Sequence, residues 1–216
     1  MAFNNVLQWC DGRGWLVFSG AVGGDAIRAA ALGRASADGG LALVCMGSPD
    51  RCEQALDDLE DLGAPSGYLV DVLSEADDTI REKLSEAGII VVIGADDALA
   101  VRSALMGAAS EGIMAAFANG ALILLEGWAS AAAGAWLVTG EGEPLGGLSW
   151  LQAAMIIPGA ASVSDFPPAR SALISHPESI VVSIGGGSAL VLGPDGEVEI
   201  WGQRQVSIVL GSDYHR

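Results

Sequence analysis

The stretch Gly120-Ala-Leu-Ile-Leu-Leu-Glu-Gly-Trp-Ala-Ser-Ala-Ala-Ala-Gly-Ala-Trp136 decides the fold. Its apolar run, Ala121 to Leu125, reads as a strand buried on both faces, and the small residues that follow read as a tight turn into a helix. In hydrolases built on such a strand-turn-helix, only small residues fit the turn, and a Ser or Cys is lifted above the sheet. Ser130 carries the segment's hydroxyl. Whether it is a nucleophile or an interior helix residue is left open by the residues themselves.

Working outward, further apolar runs stand at Trp15 to Phe18, Leu41 to Met46, Tyr68 to Val70 and Ile89 to Ile93. Helical stretches separate them. Asp25 to Ala37 is rich in Ala and stops at Asp38-Gly39-Gly40. Ser48-Pro49 starts a helix running to Leu62 before Gly63, with Pro at the first helical position. Ser74 is expected to cap a helix ending at Gly88, and Asp97 to Ala118 a longer one that breaks near Gly107 or Gly112. The alternation predicts an α/β fold, a mainly parallel sheet with helices on both faces.

Over the last forty or so residues, Ile180 to Ser183, Ser188 to Leu192, Glu197 to Trp201 and Gln205 to Leu210 are short and β-rich, and Pro194-Asp195-Gly196 is a turn. They predict an antiparallel meander at the C-terminal side. A chain of 216 residues is expected to form one domain, 1–216.

The charge balance, 10 basic against 27 acidic residues and a formal net charge of -17, argues against nucleic acid and anionic membranes, because phosphate contacts need clustered Lys and Arg. The apolar stretch from Ala98 to Leu125 is broken by Arg102, Glu111 and Asn119, short of the ~20 residues a bilayer span requires. Asp11 and Arg13 behind Trp9 do not make a signal peptide. A cytoplasmic protein is expected. Cys10, Cys45 and Cys52 form no Cys-x-x-Cys pair, so free thiols are expected, and no zinc site. An excess of apolar residues predicts a homodimer. Gly20-Ala-Val-Gly-Gly24 does not match the dinucleotide spacing, so no cofactor is expected. The tryptophans, Trp128 among them, are expected as core or interface anchors.

The order of these pieces resembles the cyanophycinase and dipeptidase E group of serine peptidases (peptidase S51), which share the flavodoxin-like, class I glutamine amidotransferase-like fold. The resemblance rests on Trp15 to Gly24 as first strand and glycine turn, and on Ala87-Gly-Ile-Ile-Val-Val-Ile-Gly-Ala-Asp-Asp97 for the family's "AD-x-I-hydrophobic-GGDQ" segment. Gly120-Ala-Leu-Ile-Leu-Leu stands for the strand before Gly-Thr-Ser-Ala-Gly-Ala, and Ile184 to Leu192 with Pro194-Asp-Gly for the C-terminal hairpin region. The resemblance implies a serine nucleophile after the fifth strand and a histidine base beyond it.

Departures fall on the chemistry. A gapless register puts Gly127 at the family serine, the Ala-Gly-Ala tail puts Ala132 there, and an insertion brings Ser130 into place. Asp165 stands where the resemblance expects the histidine before Phe166. A carboxylate with a pKa near ~4 is a weak base toward a serine hydroxyl. The remaining histidines are His176 and His215; an active site would pair Ser130 with His176, oriented by Glu178 or Asp165. By resemblance Gly94 and Ala95 supply oxyanion amides; otherwise Gly94 merely ends a strand before Asp96-Asp97 caps a helix. Glu126, at the C-terminal end of a central strand, is placed where ligands bind in open sheets, and with Asp96 and Asp165 would make an acidic pocket; helix capping is its other reading. These distant acids do not amount to a metal site. The expectation is a peptidase-like protein without its catalytic residues, which binds a small peptide or amino-acid-like ligand or serves assembly. The alternative is an active hydrolase using Ser130.

Overall fold

The computed structural model describes residues 6–36, 39–95, 97–140 and 143–214. In chain order the first half contains β1 (Trp15–Ser19), α1 (Asp25–Arg34), β2 (Leu41–Cys45), α2 (Pro49–Asp61), β3 (Gly67–Val70), α3 (Asp77–Ser85), β4 (Ile89–Ile93), α4 (Ala98–Leu105), α5 (Ala108–Ala118) and β5 (Leu122–Glu126). The second half adds α6 (Trp128–Ala132), β6 (Gly134–Leu137), β7 (Leu145–Gly146), β8 (Leu151–Pro158), a 3₁₀ turn (Val163–Asp165), α7 (Pro167–Ser175), β9 (Ile180–Ile184), β10 (Ser188–Leu192), β11 (Val198–Gly202) and β12 (Val206–Leu210).

Seven strands form one sheet in the order β11-β10-β1-β5-β4-β2-β3. The five from β1 to β3 run parallel, while β10 and β11 add antiparallel strands at one edge. Period-2 alternation sorts each buried strand between two cores. Val17, Leu41, Leu43, Val91 and Leu124 face α1 and α2, which contribute Ile27, Ala31, Ala55 and Leu59. Leu16, Phe18, Val44, Val92 and Leu125 face the opposite core, with Leu84 of α3, Val101 of α4 and Ile113 of α5. Helices therefore cover both faces, as continuous apolar strands require.

A second sheet, β12-β9-β8-β6-β7, was not expected from the sequence. Ile156, Ile180 and Val182 join the same core as Phe18 and Leu125, while Met155 and Val181 on its other face pack against Ala169 and Ala172 of α7. This sheet corrects the predicted meander. Of the four strands in that meander, β10 and β11 form a hairpin, while β9 leaves to pair with β8 and β12. A strand buried along its whole length, as β9 is, needs apolar cover on both faces, and the second sheet supplies it.

Helix ends differ in detail. The break before α5 falls at Gly107, whose φ of 81° suits glycine. Ser74 does not cap α3; its hydroxyl bonds Asp71 instead, and Ala76 stands at the helix start. Cys45 and Cys52 are not free thiols but are joined, their Cα atoms 5.5 Å apart. The turn from β2 into α2 folds the first helical turn back over the strand end, a proximity no spacing motif announces. Among the described residues no helix is long and apolar enough to cross a membrane.

Candidate functional site

The parallel strands β1, β2, β4 and β5 end on one side, where ligands bind in open α/β sheets. There a cleft of about 370 Å³ is lined by Gly20 and Val22 after β1, Arg51 of α2, Gly94 and Ala95 after β4, Gly127 and Trp128 after β5, and Pro158 from the second sheet.

Gly127 is the apex of the strand-to-helix turn. Its backbone, φ 56° and ψ -121°, is one that glycine adopts freely and other residues only under strain. Gly127 is thus the residue at the bend, with Ser130 and Ala132 further on in α6. A Cβ at Gly127 would stand 3.1 Å from Val22 Cγ2, and one at Gly94 only 3.1 Å from the Ala129 nitrogen, so glycine at 94 lets α6 begin close against the end of β4. Gly94, Ala95 and Gly127 thus lie together along the cleft.

Ser130 does not. It lies in α6, wholly buried, and its Oγ contacts the carbonyl oxygens of Leu125 at 2.8 Å and Ser19 at 2.9 Å. A hydroxyl has one proton to share between these acceptors, so it works as a clamp between α6 and the ends of β1 and β5. His176 is elsewhere: its ring stacks on Trp136 with centroids 4.1 Å apart, and its Nδ1 stands 3.5 Å from Glu178. The pairing of Ser130 with His176 is corrected on both sides, because helix periodicity turns residue 130 inward and α7 carries the histidine to the outer face of the second sheet.

Glu126 is likewise turned away from the cleft. Only 1% exposed, it receives Arg28 Nε at 2.8 Å, Arg28 Nη2 at 2.9 Å and the Gly23 amide at 3.0 Å. Burial lowers the Arg28 pKa, but the hydrogen bonds and charge of Glu126, with Asp58 and Asp25 behind it, outweigh burial and raise it. The proposed acidic pocket does not form from Glu126. Sequence reasoning missed Arg28, though a carboxylate ending a central strand must be neutralised once buried, which was the signal available.

Asp165 is exposed, and its carboxylate accepts the Ser162 amide at 2.9 Å within the 3₁₀ turn. It also lines a second cavity, about 240 Å³, that shares Trp128 and Pro158 with the elbow cleft. Asp96 and His215 lie outside the described residues. Trp128, 40% exposed, is a wall of the cleft rather than a core anchor; Trp150 is the tryptophan that is buried. Among the described residues no group of His, Cys, Asp and Glu is arranged to hold a metal.

No protein-family model and no curated protein matches the chain. Solved structures do. A peptidase from an acI-B1 Actinobacterium superposes with a TM-score of 0.72 at 16% identity, covering 94% of this chain and 97% of its own. A candidate Peptidase E protein from Listeria monocytogenes EGD-e gives 0.65 at 14% identity, covering 88% and 98%. The chain therefore has a peptidase E-like fold, a mainly parallel sheet with helices on both faces as the order of its pieces predicts.

Proposed function

We propose that this protein is a peptidase S51-like, cyanophycinase-like pseudoenzyme, which binds a small peptide or amino-acid-like ligand in the elbow cleft without cleaving it. The observation carrying this reading is the glycine at the apex of the turn, where a nucleophile would have to stand. Backbone amides lining the cleft do not depend on side-chain identity, so a carbonyl or carboxylate can still be held there. Without a nucleophile, a serine-peptidase scaffold keeps only about 10³ to 10⁴ of its acceleration, far too little for peptide turnover. We place it in the cytoplasm and as a homodimer, the latter because Ile208, Val209 and Leu210 of the edge strand β12 are 37–39% exposed; a monomer mass in light scattering contradicts the dimer.

The test is a panel of dipeptides, aspartyl dipeptides included, read by Trp128 fluorescence and by product chromatography. Saturable quenching that is lost in Trp128→Phe, with no product, is expected. Catalytic hydrolysis by the purified protein overturns the proposal.

A further inference from the structure

We propose that the Cys45–Cys52 bond is a thiol-disulfide exchange site whose state sets where Arg51 stands in the elbow cleft. Three observations converge on it. Both cysteines, Cys45 half-buried and Cys52 buried, line a cavity of about 270 Å³ together with Met46, Leu69 and Asp71, through which a small dithiol would approach. The bond ties the end of β2 to the first turn of α2, the turn that carries Arg51. The stem of Arg51 packs at Gly47: a Cβ there would lie 3.1 Å from Arg51 Cδ and 3.6 Å from Cys45 Sγ, so guanidinium stem and sulfur share one small junction.

Arg51 reaches the cleft from that junction. Among the described residues it has no ion pair or hydrogen-bond partner to hold it, so its placement follows the backbone that the bond closes. The helix N-terminus favours a thiolate at Cys52, which makes it the better leaving group. A dithiol thiolate attacks Cys45 Sγ, the bond to Cys52 breaks and releases its thiolate, and the second dithiol sulfur resolves the mixed disulfide. Two electrons and two protons pass to Cys45 and Cys52, and the dithiol ends as a disulfide. With the loop opened, the first turn of α2 is free to carry Arg51 away from Trp128.

The proposal does not depend on what the cleft binds. Folded oxidised protein is treated with dithiothreitol, trapped with iodoacetamide and weighed, and acrylamide quenching of Trp128 is taken as wild type minus Trp128→Phe. Burial pushes the Cys10 thiol up to about 11, so it alkylates slowly and does not obscure the count. Expected are two fast new thiols with far-ultraviolet circular dichroism unchanged, a rise in Trp128 quenching on reduction, and loss of that rise in Arg51→Ala. A bond that resists dithiol until the chain unfolds, or a reduced folded protein with unchanged Trp128 quenching, overturns it. Reduced wild type provides the reading even where Cys45→Ser with Cys52→Ser fails to fold.

Discussion

The hydroxyl of Ser130 lies 2.9 Å from the carbonyl oxygen of Ser19, the same oxygen that receives the Gly127 amide at 3.2 Å. The elbow is thus closed from beneath by a serine that supports the turn. Ser130→Ala removes one buried donor and leaves the Ser19 carbonyl its amide partner, so a loss of about 1 kcal/mol is expected. Urea unfolding measures it, and ligand affinity should be unchanged.

Gly127 carries the strain-prone conformation at the apex. Gly127→Ala places a Cβ against Val22 and forces a non-glycine residue into that backbone, which should destabilise the fold by about 1 to 3 kcal/mol. Thermal unfolding of the purified variant checks it. A similar cost is expected for Gly127→Ser, with no peptidase activity gained.

The Arg28–Glu126 pair is buried on both sides, 2% and 1% exposed. Removing one partner strands a charge, so Arg28→Met or Glu126→Leu alone should cost about 3 to 5 kcal/mol, and the double variant should recover much of that. A double-mutant cycle by denaturant unfolding reads the difference. Since the Arg28 pKa is raised, its contribution persists throughout the ordinary pH range and fades only in strong alkali.

Three carboxylates held low in the folded protein make its stability sensitive to acid. The Ser74 hydroxyl and the Leu73 amide hold Asp71 below its usual range; burial raises the Glu75 pKa, but Lys83 and the Asp71 amide together outweigh burial and lower it; the Trp201 indole and Arg34 lower that of Glu199. Each lowered carboxylate contributes stability above its unfolded pKa, lost as pH falls through the folded one. The melting temperature should hold from neutral pH to about 5 and decline below about 4, near the unperturbed carboxylate values. Glu199→Gln should flatten part of that decline.

The parallel sheet was legible because apolar runs from Trp15 to Leu125 are continuous, and because Gly63, Gly107 and Pro49 punctuate the helices where they fall. The second sheet was not. Leu151 to Pro158 is flanked by Gly146-Gly147 and Pro158-Gly159, but its start, Gln152-Ala153-Ala154, is not strongly apolar, and β6 meets β8 with a shifted register that no period-2 pattern reveals. At the site, Gly94, Ala95 and Gly127 stand at the ends of strands that the apolar runs mark, so backbone alone brings them to the cleft. Arg28, Arg51 and the Cys45–Cys52 bond depend on how helices return over strand ends, which is tertiary information.

Labelling decides the central claim most directly: native protein is incubated with a fluorophosphonate beside an active serine peptidase, and both are weighed intact. The account predicts an adduct on the control and none on this protein. A stoichiometric adduct that maps to Ser130 and disappears in Ser130→Ala would contradict it.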